Sequence, residues 1–152
     1  MAAKDIVIAL YKAYATCDQK VIRALLDDNA VWVAPAGNAT QVGLGLAGGY
    51  DAGPPRGIND LGAEEIARFM SDDFPRFFAN ARNEIRTLIG EGDTAVIEHR
   101  LSATLPTGEP YVNDYCFIVQ TRDEKVLHIR EYMDTRGGWQ QVFGSGGGRK
   151  LC

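Results

Sequence analysis

The sequence predicts one α+β domain in which helices pack on one face of a curved sheet. Helical periodicity is confined to the first half of the chain, and four apolar or alternating runs with short turns between them fill the second half. Helices and strands that are segregated along the chain are typical of α+β proteins. The 152 residues, of which 45% are hydrophobic and 24% charged, suffice for a single core.

Two helices and a strand are predicted at the start of the chain. Residues 4–15 carry an apolar stripe at helical spacing, which predicts an amphipathic helix. Asp18 can cap a second helix over about residues 19–27. The sequence NAVWVA, residues 29–34, is typical of a strand.

A long loop and a third helix follow. Glycine and proline are dense over residues 35–62, and a stretch of that length without periodicity predicts a functional or mobile loop, which we interpret as a lid or rim of a site. Helical spacing returns over residues 63–81, where Pro75 should kink or break the helix.

The second half of the chain predicts an antiparallel meander. Its four strands are separated by the turn sequences GEGD, PTGE and RDEK. The last residues are glycine-rich and contain no core positions. We therefore expect a single domain over residues 1–143 and a flexible tail over residues 144–152.

Composition disfavours several classes of function. The net charge is −4 and Lys and Arg do not cluster, which disfavours nucleic acid and membrane surfaces as partners. Three cysteines without CxxC spacing predict neither a disulfide framework nor a zinc site, and they favour the reducing cytoplasm. No spacing links His99 and His128 as metal ligands, and the glycines lack the context of a phosphate-binding loop, so no metal and no nucleotide cofactor are expected.

Strand register decides which side chains share a cavity. A tight PTGE turn would pair Glu98 with Phe117, Arg100 with Tyr115 and Ser102 with Asn113, and it would send His99 to the opposite face. In the next hairpin, a three-residue loop with a bulge brings Glu131 to this face beside Ile129 and Met133 and sends His128 to the opposite face. A two-residue loop brings Arg130, Tyr132 and Asp134 instead. The first set is favoured because it combines apolar walls with few polar groups, as ligand pockets do.

The order of elements and the sequence LSATLPTGEPYVNDYCFIVQTRDEKVLHIREYMDT, residues 101–135, resemble the SnoaL-like branch of the nuclear transport factor 2-like superfamily. The motif I-R-E-Y-x-D in the last strand and D-D-N-A-V-W at the first strand carry the resemblance. Ketosteroid isomerases, limonene epoxide hydrolases, polyketide cyclases and phenazine biosynthesis small proteins share this fold. The resemblance implies a cone-shaped curved sheet with three helices on its concave face, around a cavity for a small polycyclic or terpenoid ligand.

The resemblance also implies the chemistry of the site. Phenazine biosynthesis small proteins have a glutamate as acid/base at the position of Glu131, and SnoaL-type cyclases use one pocket acid without a cofactor. The charged residues of limonene epoxide hydrolases correspond to Glu98, Arg100 and Glu131, with Arg and carboxylate exchanged. Ketosteroid isomerases carry their general base at the position of Ala34, so the chain is not expected to be a standard steroid isomerase.

We therefore expect a cofactor-independent isomerase, cyclase or hydrolase of a hydrophobic small molecule. Burial should raise the pKa of Glu131, whereas Arg100 beside it would lower that pKa. The candidate catalytic residues are Glu131, Arg100 and Glu98, and the candidate substrate contacts are Tyr115, Asn113, Trp32, Tyr14, Phe69, Phe117 and Met133. The alternative is a non-catalytic ligand-binding or assembly domain in which Arg100 and Glu131 form a permanent ion pair.

Two further expectations concern the surface of the sheet. Val112, Cys116, Ile118 and Val96 should lie on its outer face, which is apolar enough to predict a homodimer packed sheet against sheet. Asp134, at the end of the last strand, is expected to cap the following turn or to bond the backbone rather than to take part in catalysis.

Overall fold

The computed structural model describes residues 1–35, 37–40 and 58–149, with only the backbone described for 58–60 and 145–149. Helices α1 (Ala3–Ala15) and α2 (Gln19–Ala24) precede strands β1 (Leu26–Ala34) and β2 (Ile58–Gly62). Helix α3 (Ala63–Arg68), a π-helical turn (Phe69–Asp73) and helix α4 (Phe74–Phe77) come next. Strands β3 (Ala79–Glu91), β4 (Thr94–Thr104), β5 (Pro110–Arg122) and β6 (Lys125–Met133) follow. Helix α5 (Thr135–Arg149) ends the described chain and is interrupted at Gly144, where φ is 72° and ψ is 174°.

The six strands form one curved, mixed sheet in the order β2-β1-β6-β5-β4-β3. Strand β1 runs parallel to β6, and the other neighbouring strands are antiparallel. Helix α1 packs against β3, β4 and β5 and covers part of the concave face. The predicted α+β class, with helices packed on a curved sheet, is confirmed.

The first two helices form where the sequence predicts them. Ile6, Val7 and Leu10 of α1 are fully buried, so the apolar stripe of this helix faces the core. The Oδ1 atom of Asp18 accepts a hydrogen bond of 3.1 Å from the backbone N–H of Val21 and caps α2. Helix α2 ends earlier than predicted because the chain turns into β1.

The predicted third helix is divided into three segments. A π-helical turn follows α3 and leads directly into α4, where Pro75 lies in the first turn and has no N–H to donate to the preceding turn. Phe78 is already extended and buried. Strand β3 therefore begins at Ala79, before the predicted end of the helix.

Helix α5 was not predicted, because its many glycines lower helix propensity. Contacts with the sheet stabilise it instead. The side-chain amide of Gln141 accepts a hydrogen bond of 2.8 Å from the N–H of Val112 and donates one of 2.9 Å to the Val112 carbonyl. The helix thus satisfies backbone groups of β5 beyond the end of β6.

Most of the predicted glycine-rich loop, residues 35–62, lies outside the described residues. Its described parts are Pro35, residues 37–40 and residues 58–62, of which the last five form β2. In the predicted tail the backbone is described as far as Arg149, and its flexibility stays a prediction. None of the helices in the described ranges is long and apolar enough to cross a membrane.

The register of the β4–β5 hairpin differs by one residue from the prediction. His99 pairs with Tyr115, Arg100 with Asp114 and Glu98 with Cys116. The turn contains one residue more than the tight turn that was predicted. Leu105 bonds to Glu109 across it, and Gly108 takes a φ of 87°, which favours glycine. Because a shift of one residue exchanges the faces of a strand, His99 faces the concave side, and Glu98 and Arg100 face the convex side.

The β5–β6 hairpin follows neither predicted register. Phe117 pairs with Glu131, and Tyr115 pairs with Met133. The turn is made by Asp123 and Glu124, both at positive φ, and the irregularity lies within the strands, between residues 120 and 121. Glu131 nevertheless faces the concave side, as the favoured interpretation expected.

Candidate active site

A small cavity lies between α1, the π-helical turn and the concave face of the sheet. The cavity has a volume of about 50 Å3, and its walls are mostly aromatic and aliphatic. Five predicted substrate contacts line it: Tyr14, Trp32, Phe69, Tyr115 and Phe117. Glu131 is the only carboxylic acid among the described residues that line the cavity.

The Glu131 carboxyl group is buried and held by two neutral donors. Glu131 is only 5% exposed to solvent. Trp32 Nε1 donates to Oε2 and Asn38 Nδ2 donates to Oε1, both at 3.0 Å. Trp32 reaches it because β1 runs beside β6, where Trp32 pairs with Ile129. The two hydrogen bonds fix the orientation of the carboxyl group.

Burial sets the acidity of this group. Desolvation raises the pKa of Glu131 from 4.5 to about 7, against the smaller lowering effects of the Trp32 and Asn38 hydrogen bonds. None of the ion pairs among the described residues includes Glu131. Near neutral pH both protonation states are therefore populated, as a group that takes and returns a proton requires.

Arg100 and Glu98 do not reach this cavity, which corrects their predicted placement. Arg100 donates from Nε and Nη2 to the two carboxylate oxygens of Asp114, at 2.8 and 2.9 Å, and its side chain is 39% exposed. Glu98 accepts a hydrogen bond of 2.8 Å from the hydroxyl of Thr87. Both lie on the convex face because of the register of β4, so the Arg100–Glu131 ion pair of the alternative interpretation does not form.

His99 takes the cavity position that was predicted for its neighbours. Its ring lies parallel to those of Tyr115 and Phe117, with centroids 5.3 and 5.5 Å away, and its Nδ1 is 3.0 Å from the Tyr11 hydroxyl. Burial lowers the pKa of His99 from 6.5 to about 4, with a smaller raising effect from Asp114, so the ring is neutral at pH 7. A correct prediction of the length of the β4–β5 turn would have placed His99 on the concave face, since side chains of β4 alternate strictly between the two faces.

A chain of hydrogen bonds orients the hydroxyl of Tyr115. Asn113 Nδ2 donates to the carbonyl of Asp134 at 3.0 Å and to the hydroxyl of Tyr111 at 3.2 Å. The hydroxyls of Tyr111 and Tyr115 are 2.7 Å apart. Either hydroxyl can be the donor in this hydrogen bond. When Tyr111 donates to Tyr115, the proton of Tyr115 is available to a ligand in the cavity.

The remaining predicted residues lie behind the cavity. Asn113 is buried and acts through Tyr111, while Met133 is partly buried near Gly138, and neither lines the cavity. Asp134 accepts a hydrogen bond of 2.9 Å from the N–H of Gly137, which confirms its predicted capping role. In the part of the chain that the structure describes, no three His, Cys, Asp or Glu side chains converge as metal ligands.

Known structures show the same fold at low sequence identity. A protein of unknown function from Burkholderia pseudomallei, described as NTF2-like, is 18% identical, with 94% of this chain and 99% of that chain covered and a TM-score of 0.73. A putative polyketide cyclase from Streptomyces antibioticus, IdmH, is 19% identical, with 93% and 99% covered and a TM-score of 0.70. TerC, co-crystallised with polyporic acid, is 22% identical, with 91% and 95% covered and a TM-score of 0.70.

Sequence comparison identifies the family. No curated protein matches the chain significantly. The SnoaL-like domain matches residues 7–129, which include the cavity-facing parts of α1, β4 and β5. The chain, with its mixed curved sheet, therefore belongs to the SnoaL-like domain family of the NTF2-like superfamily.

Proposed function

We propose that the chain is a cofactor-independent enzyme that moves a proton within a small apolar carbonyl compound and thereby catalyses ring closure or isomerisation. The observation that carries this proposal is Glu131, a buried carboxyl group with a pKa of about 7 in an apolar cavity. Neutral donors fix its orientation, and the described residues provide no cation to hold it ionised. These are the properties of a general acid/base.

The reaction needs only groups of the chain and the substrate. The Glu131 carboxylate removes a proton from the carbon next to a substrate carbonyl, which leaves a neutral carboxylic acid and an enolate. Tyr115 donates a hydrogen bond to the enolate oxygen. In ring closure the enolate carbon attacks a second carbonyl of the same molecule, and Glu131 returns the proton to the new alkoxide. In isomerisation Glu131 returns the proton to a different carbon.

Among the predicted reaction classes, proton transfer is favoured over epoxide hydrolysis. The hydrolase interpretation depended on Arg100 and Glu98 beside Glu131, and both lie on the convex face. The similarity to the putative polyketide cyclase and to the protein crystallised with polyporic acid supports an aromatic or polyketide-like substrate.

The alternative is a domain that binds a ligand without catalysis. The observation that favours this alternative is that protein groups already donate hydrogen bonds to both oxygens of Glu131. In that case the carboxyl group would accept a hydrogen bond from the ligand and no bond of the ligand would change. The two functions differ in whether a bound ketone exchanges its protons.

Hydrogen exchange in D2O tests the proposal without knowledge of the substrate. The protein would be incubated with a panel of small aromatic ketones and 1,3-diketones, and deuterium uptake at the α-carbon would be followed by NMR. We expect Glu131→Gln to slow exchange by about 100-fold or more. Asp134→Asn, which removes a charge from the helix cap, should leave it unchanged. Saturable binding without catalysed exchange would support the binding domain instead.

We also propose that the chain forms a homodimer through the convex face of the sheet. Ile89, Val112 and Tyr132 are 61%, 44% and 54% exposed there, next to the partly buried Cys116 and Ile118. Covering these side chains would stabilise an assembly of two chains. Sedimentation at micromolar concentration should show a dimer, and a monomer would contradict the proposal.

A further inference from the structure

A second, larger cleft adjoins the cavity on the other side of an aromatic wall. The cleft has a volume of about 460 Å3 and lies between the last two turns of α1 and the first half of β3. In β3, Asn83 and Ile85 face the concave side, because they pair with Leu101 and His99. Ile85 is nevertheless 45% exposed, since α1 leaves this part of the sheet uncovered.

The cleft and the cavity of Glu131 share part of their lining. Five residues line both spaces: Tyr11, Tyr14, Phe74, Phe78 and Asn83. The rings of Tyr14 and Phe74 meet edge to face with centroids 4.7 Å apart, and the rings of Phe74 and Phe78 are 5.0 Å apart. Rotation of such side chains requires no change of the backbone, so it can join the two spaces.

The volumes indicate that the cavity beside Glu131 is too small to hold a ligand of ordinary size by itself. At about 10–15 Å3 for each water, the cavity holds only about three to five waters. Ligand pockets commonly measure about 300–1,000 Å3. The cavity alone is below this range, whereas the cleft falls within it, so a ligand that reaches Glu131 must have most of its volume in the cleft.

The lining of the cleft indicates the chemistry of its ligand. Ile8, Phe74 and Ile85 form apolar walls. Lys12 is the only charged residue among the described residues that line the cleft. An apolar wall beside a single ammonium group suits an aromatic ring system that carries one anionic substituent.

We propose that the substrate site extends from Glu131 through the aromatic wall into this cleft, and that it binds an aromatic anion. The ring system passes between Tyr14 and Phe74, and its carboxylate, sulfonate or phenolate group remains at Lys12. The inference rests on the proposed function in one respect, because it places the reacting end of the ligand at Glu131.

A pair of dyes that differ by one sulfonate tests the charge preference. 1-Anilinonaphthalene-8-sulfonate is an aromatic anion, and N-phenyl-1-naphthylamine is its neutral counterpart. We expect both to bind saturably, and Lys12→Gln to weaken binding of the anionic dye by about two- to fivefold while binding of the neutral dye stays unchanged. Lys20→Gln, the same charge change on α2, should affect neither dye. Equal effects of the two lysine variants, or no saturable binding, would overturn the proposal.

A second pair of variants tests the location. Ile85→Glu should weaken both dyes by about fivefold or more, because it places a carboxylate against the ring system. Val21→Glu makes a similar change on α2, at a side chain that is also 45% exposed, and should leave binding unchanged. Since both side chains are half exposed, both variants should fold. If neither variant weakens dye binding, or if both weaken it equally, the result would contradict a site in the cleft.

The reach of the ligand to Glu131 is tested by pH. Ionisation of Glu131 between pH 6 and pH 8 should weaken binding of the neutral dye by about threefold in the wild type and not in Glu131→Gln, because a charge beside the ring disfavours its burial. A dye that is sensitive to Ile85→Glu but shows no such pH dependence would remain in the cleft, which would overturn the extended site. If the dyes bind as expected but the protein does not catalyse deuterium exchange, the result would contradict the proposed reaction and leave the extended binding site supported.

Discussion

Replacement of Glu131 by glutamine tests the environment of the candidate catalytic group. The pKa of Glu131 is raised from 4.5 to about 7 in the folded chain. The folded state therefore binds the proton more tightly than the unfolded state does. This contribution to stability is fully present below about pH 4.5 and is lost as the pH rises through about 7. At about 1.4 kcal/mol for each pH unit between the two values, the loss amounts to about 3 kcal/mol.

The glutamine variant should not show this loss, because its side chain does not titrate. Its single carbonyl oxygen accepts from only one of Trp32 and Asn38, and its amino group meets the other donor, at a cost of about 1 kcal/mol. We therefore expect Glu131→Gln to be about 1 kcal/mol less stable than the wild type near pH 4.5. Above about pH 8 the variant should be about 2 kcal/mol more stable.

Urea unfolding of both proteins between pH 4.5 and pH 8.5 measures this difference, and contributions from all other groups cancel in it. Glu109→Gln, at an exposed site in the β4–β5 turn, serves as the matched control and should stay within about 0.5 kcal/mol of the wild type throughout. A loss of about 3–5 kcal/mol at every pH would refute the reasoning, because it would identify Glu131 as the partner of a buried charge.

Three further predictions concern other parts of the sheet. The pKa of His99 is lowered to about 4, so its contribution to stability is present above pH 6.5 and is lost as the pH falls towards 4; His99→Phe should remove this acid sensitivity in urea unfolding. Arg100→Gln should leave deuterium exchange unchanged and cost at most about 1 kcal/mol, since its pair with Asp114 is exposed; abolished exchange would contradict the convex placement. Gly138→Ala places a Cβ 3.0 Å from both Asn113 Nδ2 and Met133 Cε and should cost about 1–3 kcal/mol in thermal unfolding, whereas Gly62→Ala meets no atom within 4 Å and should cost less than about 0.5 kcal/mol.

Local sequence signals located the main elements. Periodicity predicted α1 and the four strands of the meander, because burial of one face leaves its mark every two or 3.6 residues. The Asp18 cap and the interruption near Pro75 were also predictable, since both depend on neighbouring residues alone. Helix α5 was not, because the contacts of Gln141 with Val112 compensate for its low propensity.

The sequence by itself determined that the chain folds as a helical half followed by a sheet, and it offered Glu131 as a carboxylate for the concave face. Only the tertiary structure decided its neighbours. The turn between β4 and β5 has one residue more than the tight turn, so His99 replaces Glu98 and Arg100 in the cavity. The donors to Glu131 come from 99 and 93 positions away in the chain, where no local pattern indicates the contact. Strand register and long-range packing set the acidity of Glu131, because burial and partner choice depend on how distant segments meet.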